Sequence, residues 1–312
     1  MFLICGEALF DLFASGGCRA AFTLEARAGG SPYNVAVGMA RLGAPAALFT
    51  AVSDDMLGQA LKATLAEEGV DTSFLIDGPH RTTLSLASIG KAGVAAFRIY
   101  GEGGADRMID AASLPAAPAR LAGLHFGSYT MVVEPVATTH FALARREAAF
   151  RIISFDPNVR PNVEPDMGVW RRAAEEMSSL ADIVKISADD AALIWPGRPL
   201  GDILDWFRER GAALAIGTMG AAGAMAVGGF GELEIAPAPA RVVDTVGAGD
   251  SFMAAVLAGT LAQAPGKAAL KTLAADDARA ILDFAASAAA VSCSRRGADP
   301  PRREEIAVSR PL

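Results

Sequence analysis

The chain has 312 residues, 52% of them hydrophobic and 20% charged, with a formal net charge of −7. This composition excludes a disordered or collagen-like chain, and the length suits one large α/β unit with a sizeable core. An acidic chain without a basic stripe also makes nucleic acid and anionic membrane surfaces poor partners, because both need clustered Lys and Arg to neutralise phosphates.

Apolar runs of strand length recur at 2–6, 46–52, 124–128, 151–156, 182–187 and 213–218, each ending in a small or polar residue. Continuous rather than alternating apolar character is what a strand buried on both faces requires. Helix-period segments at 57–69, 135–150, 168–180, 200–210 and 275–293 supply crossovers between parallel strands. The pattern predicts a three-layer α/β/α fold with a central, mostly parallel sheet. Segments 8–27 and 80–106 alternate more and carry glycine turns at Gly16-Gly17 and Gly90–Gly93; they read as a small antiparallel β lid inserted in a single domain spanning 1–312. The uncharged stretch from Gly211 to Gly231 is long enough to raise the membrane question, but its glycines point to strand, turn and strand. Cys5, Cys18 and Cys293 have no CxxC spacing, which fits a reducing, cytoplasmic setting. Glu7 and Asp11 interrupt MFLICGEALFD before a signal peptide's apolar core is complete. His80, His125 and His140 are scattered, so no His/Cys zinc site can be written.

The sharpest motif is Asp244-Thr-Val-Gly247-Ala248-Gly249-Asp250, running into the helical segment SFMAAVLAGTLA. At a helix N-terminus the first N–H groups lack helical partners and the dipole's positive end points outward, so this turn can hold an anion. Asp250 is then either a favourable acid in the first turn or the group that takes a proton from a nucleophile attacking a phosphate. No GxxxxGK[ST] occurs, and VGAGDSFM does not complete the dinucleotide fingerprint. A second constellation is Gly29-Gly30-Ser31-Pro32-Tyr33-Asn34. Ser31 reads as an N-cap with Pro32 at the first helical position, and Val35, Met39 and Leu42 form an apolar stripe ended by Gly43. Asn34, in the exposed first turn beside two glycines, suits a hydroxyl-rich ligand because its amide both donates and accepts.

Together, GGSPYN near the start and DTVGAGDSF near the end resemble the two signatures of the ribokinase-like carbohydrate kinases, also called the PfkB family. GEALFD, DPNVR, DIVKIS, GTMGAAG and RRGA follow in the family's order, so the resemblance spans almost the whole chain. It implies a sheet between helices, covered by a β lid, in an enzyme that passes a phosphoryl group from ATP to a sugar hydroxyl. Asp250 would be the base, and the amides of Gly247, Ala248 and Gly249 the anion hole. Asp11, Gly30 and Asn34 match positions that hydrogen-bond the sugar. On the nucleotide side stand Lys185 and Ser187 of DIVKIS, the phosphate turn of Thr218, Gly220 and Gly223, and the helix from Ala285 to Ser292, with Ala288, bordering the adenine. The family's magnesium-associated Asn-x-x-Glu falls on Ser187-Ala-Asp-Asp190, where Asp190 can still hold a hydrated Mg2+ ion. Asp244, Val246 and Gly297 match the monovalent-cation loop, the place of a K+ ion.

Asp156-Pro-Asn158-Val-Arg160 is shared with fructokinases and 2-keto-3-deoxygluconate kinases. A carboxylate, an amide and a guanidinium after a strand end can bind hydroxyls, phosphate or a sugar carboxylate. On the lid strand, Phe97-Arg98-Ile99-Tyr100 stands where deoxygluconate kinases carry Tyr-Tyr-Arg, and GEGGADR at 101–107 is similar to bacterial fructokinases. The resemblance therefore favours D-fructose, giving fructose 6-phosphate, over 2-keto-3-deoxygluconate, another sugar or a nucleoside. Arg98 and Tyr100 are further pocket candidates, Arg98 as a partner for an acidic sugar. A non-catalytic sugar or nucleotide sensor is the reading from another class, opposed by the intact GAGD. A small sheet with an apolar face is marginal alone, so two lids pairing in a homodimer are expected.

Overall fold

The computed structural model describes residues 1–18, 21–89, 95–116 and 119–306. The apolar runs form β1 (Phe2–Cys5), β4 (Ala46–Ser53), β8 (Gly123–Gly127), β9 (Ile152–Asp156), β10 (Ile183–Ser187) and β11 (Leu214–Thr218), all buried along nearly their whole length. With β5 (Leu75–Gly78), β12 (Ala224–Gly228) and β13 (Gly231–Ile235) they make a nine-stranded sheet in the order β13-β12-β11-β10-β9-β8-β1-β4-β5. Its pairings are parallel except on either side of β12. Gly211 to Gly231 is thus strand, turn and strand, and no helix among the described residues is long and apolar enough to cross a membrane.

Alternate residues of β1 serve opposite layers. Phe2 and Ile4 share a buried cluster with α1 (Ser31–Arg41), α2 (Met56–Glu67), α7 (Ala248–Gln263) and α9 (Ala275–Cys293). Leu3 and Cys5 share the other with α3 (Val136–Glu147), α4 (Met167–Met177), α5 (Ala188–Ile194) and α6 (Leu200–Glu209). This is the three-layer arrangement that the run pattern predicts. From Asp250 to Thr260, α7 is buried on every side, between α1 and α9.

The second sheet has the order β3-β2-β6-β7, from β2 (Leu9–Cys18), β3 (Ala21–Gly29), β6 (Leu84–Ile89) and β7 (Ala95–Tyr100). Two antiparallel hairpins are joined by a parallel β2–β6 pairing. The expected turn at Gly16-Gly17 is not there: both glycines lie within β2, opposite Thr23 and Phe22, beyond a register shift between Ala14 and Gly16. A β-bulge of this kind absorbs an extra residue and lets the strand continue. The turn expected at Gly90–Gly93 lies outside the described residues.

The carboxyl ends of the central parallel strands form one rim, with Gly127 beside Asp156 and Ser187 beside Thr218. Loops leaving such a rim are where an open α/β sheet binds its ligands.

Candidate active site

Two helices that begin at glycines meet above this rim. Gly30 (φ 105°) precedes α1 and Gly247 (φ 76°) precedes α7, and neither start has a side-chain cap. Both angles lie in the left-handed region that glycine enters without strain. At Gly247 a Cβ would also stand 2.7 Å from that of Ala298. Asp250, in the first turn of α7, is 8% exposed. Its carboxylate faces α1: Ser31 Oγ donates to Oδ1 at 2.7 Å and Asn34 Nδ2 donates to Oδ2 at 2.8 Å. Ser31 is therefore not the cap that its place before the helix suggests. Gly30 takes that position, and the serine hydroxyl serves Asp250 instead. Each carboxylate oxygen accepts one of these bonds and retains a further lone pair. Of the three N–H groups expected to line an anion hole, that of Ala248 reaches back to Thr245 O at 3.3 Å.

Beside the start of α1, Asp11 leans over the glycine pair, its Oδ2 only 2.5 Å from where a Cβ on Gly29 would sit. Burial raises the Asp11 pKa, opposed by Ser85 and Arg160 and reinforced by the charge of Asp250. Beyond β9, Asn158 (φ 43°) turns the chain, and its Oδ1 accepts from Arg160 Nη1 at 2.6 Å. The guanidinium so placed favours the ionised forms of Asp11 and Glu7.

Between the two glycine-started helices and the strands lies a buried ion pair, Lys185 Nζ to Asp156 Oδ2 at 2.7 Å. Burial works against the lysine charge, but Asp156, Asp190 and Asp250 together outweigh it and the pKa rises. Burial pushes Asp156 up to about 6, with Asp190 and Asp250 adding to the shift and Lys185 opposing it. A Cβ at Gly249 would stand 3.1 Å from Lys185 Nζ, which sets the ammonium against the GAGD turn. Ser187 is occupied elsewhere: it caps α5, its Oγ accepting from Asp190 N at 3.0 Å. Asp190 Oδ1 in turn accepts from Val159 N at 3.1 Å. Among the described residues no group of three or more His, Cys, Asp or Glu is gathered to hold a metal ion. Asp156 Oδ1 is nevertheless buried without a hydrogen-bond partner, with Asp190 close enough to shift its pKa. Two such carboxylates fit Mg2+, which takes most of its ligands from water and phosphate.

Thr218 ends β11, and Gly220 (φ 55°) and Gly223 (φ 89°) form the tight turn into β12, closed by Met219 N donating to Gly223 O at 2.8 Å. Ala288 is fully buried in the α7–α9 core, and half-buried Ala286 and Ala289 pack against that core. Asp244 ties the loop before α7 to the loop after α9, accepting from Val246 N at 3.2 Å and from Gly297 N at 2.9 Å. Arg27, the β3 partner of Asp11, donates from Nη1 to Arg296 O at 2.6 Å and joins the small sheet to that same loop.

Arg98 and Tyr100 are not brought to this cluster. Asp11 pairs with Ser85 and Ser85 with Ile99, so the two residues flanking Ile99 project from the opposite face, where Tyr100 is 57% exposed. The structure adds residues that no motif singled out: Ser31 as a partner of Asp250, Glu7 beneath the start of α1, and buried Asp106, which accepts from Thr83 Oγ1 and from Tyr129 Oη. Ser31 stands in GGSPYN, Glu7 in GEALFD and Asp106 in GEGGADR, but no motif assigned them these contacts.

A three-layer α/β/α fold with a carboxylate at a glycine-started helix N-terminus is the setting of a carbohydrate kinase. Residues 6–305 match the model of the pfkB family of carbohydrate kinases, and the chain belongs to this family. It is 38% identical over 261 residues to a fructokinase of Rhizobium leguminosarum bv. trifolii, spanning 83% of this chain and 79% of that one. A fructokinase of Escherichia coli is 31% identical over 311 residues, 97% of each chain. Among solved structures, the fructokinase of Xylella fastidiosa with bound ATP superposes with a TM-score of 0.86 at 26% identity, covering 98% of this chain and 94% of that one.

Proposed function

We propose that this carbohydrate kinase transfers the γ-phosphoryl group of ATP to the 6-hydroxyl of D-fructose in the cytoplasm. The observation that carries the reading is Asp250, a buried carboxylate oriented by Ser31 and Asn34 where α7 presents its N-terminus. Asp11, Gly30 and Asn34 would hold the sugar, and Asp250 would take the proton of the attacking hydroxyl as its oxygen bonds to phosphorus and ADP leaves. The N–H groups of the 247–249 turn would meet the charge on the transferred oxygens. Mg2+, held through Asp156 and Asp190, would supply neutralisation of phosphate charge. A K+ ion would draw on carbonyl oxygens near Val246 and Gly297, since the Asp244 carboxylate already accepts two N–H bonds.

Fructose is favoured over 2-keto-3-deoxygluconate because Arg98, the guanidinium that would meet a sugar acid, lies on the sheet face away from Asp11, and because the relatives above are fructokinases. The test is ADP release with ATP, Mg2+ and a panel of fructose, 2-keto-3-deoxygluconate, ribose, tagatose and nucleosides. Fructose should give the highest kcat/KM. Asp250→Asn should lower kcat by about 10³-fold or more while the fructose Kd stays within about threefold; near-normal turnover would remove the base.

The four-stranded sheet would act as the lid, and its face opposite Asp11, with half-buried Leu12 and Leu86, would meet the same face of a second copy. Light scattering at micromolar concentration should report a dimer, and a monomer would end that part of the reading.

A further inference from the structure

We propose that Glu7 is a positioning residue that sets the orientation of Asp250 by fixing the first turn of α1. The inference rests on the reading of Asp250 as the base. Glu7 follows β1 and is 2% exposed, and its Oε1 accepts from Ser31 N at 3.2 Å. The same Ser31 donates its hydroxyl to Asp250 Oδ1 at 2.7 Å. One residue therefore carries both bonds, and the helix start cannot shift toward or away from Glu7 without moving the group that grips the base. Gly30 is shaped to this contact: a Cβ there would stand 2.9 Å from Glu7 O and 3.0 Å from Glu7 Cγ.

The surroundings of Glu7 argue that it is not an ordinary core residue. Its other oxygen, Oε2, is buried with no hydrogen bond of good geometry, and so is Ser128 Oγ, which lies close enough to Glu7 to favour its ionised form. Ser128 adopts φ 60° at the end of β8, a left-handed conformation that a serine holds only where its surroundings demand it. The charged groups facing Glu7 are Arg160 from the loop after β9, which favours its ionised form, and Asp106, which opposes it. Burial is the largest influence and pushes the Glu7 pKa to about 7. A carboxyl of this kind is costly to keep in a core, and its one bond of good geometry to another residue runs to the α1 start.

The experiment compares Glu7→Ala, Glu7→Gln and Ser31→Ala with the parent chain, using ATP, Mg2+ and fructose and correcting each rate for folded protein by circular dichroism. Glu7→Ala should lower kcat about tenfold with the ATP KM within about twofold, because a displaced base slows chemistry without touching the nucleotide. Glu7→Gln should recover most of that loss, since its amide oxygen can still accept from Ser31 N. The Glu7→Ala/Ser31→Ala double variant should be no more than about threefold below the worse single variant, as two residues acting along one path are not additive. An unchanged kcat in Glu7→Ala, equal losses in the Ala and Gln variants, or fully multiplicative losses in the double variant would each overturn the proposal. The Asp250→Asn result separates the two readings: if that variant is inactive while Glu7→Ala is normal, only the role of Glu7 falls, and if it turns over normally, the base itself is lost.

Discussion

Four helix starts of this protein form two contrasting pairs. Away from the site, α2 and α4 are capped by aspartates, Asp55 accepting from Gly58 N at 2.8 Å and Asp166 from Gly168 N at 2.7 Å. At the site, α1 and α7 begin at left-handed glycines that supply no capping side chain, although Glu7 reaches the start of α1 from β1, its Oε1 accepting from Ser31 N at 3.2 Å. A capped start has satisfied a first-turn donor from its own cap residue, whereas the start of α7, where Ala248 N reaches back to Thr245 O, has no capping side chain and can offer first-turn N–H groups to an anion. In these four helices the capping aspartates serve the fold, whereas the glycine starts stand on either side of Asp250.

The largest test of this contrast is Gly247→Ala. It forces a Cβ into the left-handed turn 2.7 Å from that of Ala298, and kcat should fall about 10²-fold; steady-state kinetics check it. Next comes pH. Glu7, behind α1, has its pKa raised from 4.5 to about 7, so the folded chain retains a proton there that the unfolded chain has released. Stability attributable to Glu7 is present below pH 4.5 and lost as pH rises through 7, by about 3 kcal/mol at most. Asp55, at the capped start of α2, has the opposite sign. Burial opposes its charge, but bonds from Gly58 and Thr82 lower its pKa to about 2, so its stabilisation exists above 3.8 and is lost as pH falls. Urea unfolding across this range should show Glu7→Gln removing the first dependence and leaving the second. The smallest effect is Asp166→Ala, which should cost about 1 kcal/mol of stability by urea midpoint and leave kcat unchanged.

The strands were legible because burial on both faces writes itself as uninterrupted apolar runs, and α9 because its period persists from Ala275 to Cys293. The glycine pairs and Asp250 were legible because local backbone geometry and helix ends leave local marks. Ser31 was legible as a helix start but not as a partner of Asp250, since the two are 219 residues apart and nothing near Ser31 records the contact. The same holds for Asp106, whose partners Thr83 and Tyr129 come from separate segments. Ala288 and Arg98 depend on which way a helix or strand faces, a parity set by packing and register rather than by residue type. The bulge in β2 hid in the same way, because Gly16 and Gly17 are as acceptable beside a register shift as in a turn.

The bond from Arg27 to the Arg296 carbonyl gears the small sheet to the loop that follows α9. The next peptide, at Gly297, is the one pinned by Asp244, and Ala298 behind it abuts Gly247. While that guanidinium keeps its grip, β3 cannot swing clear of the body without tugging on the cradle at the tip of α7.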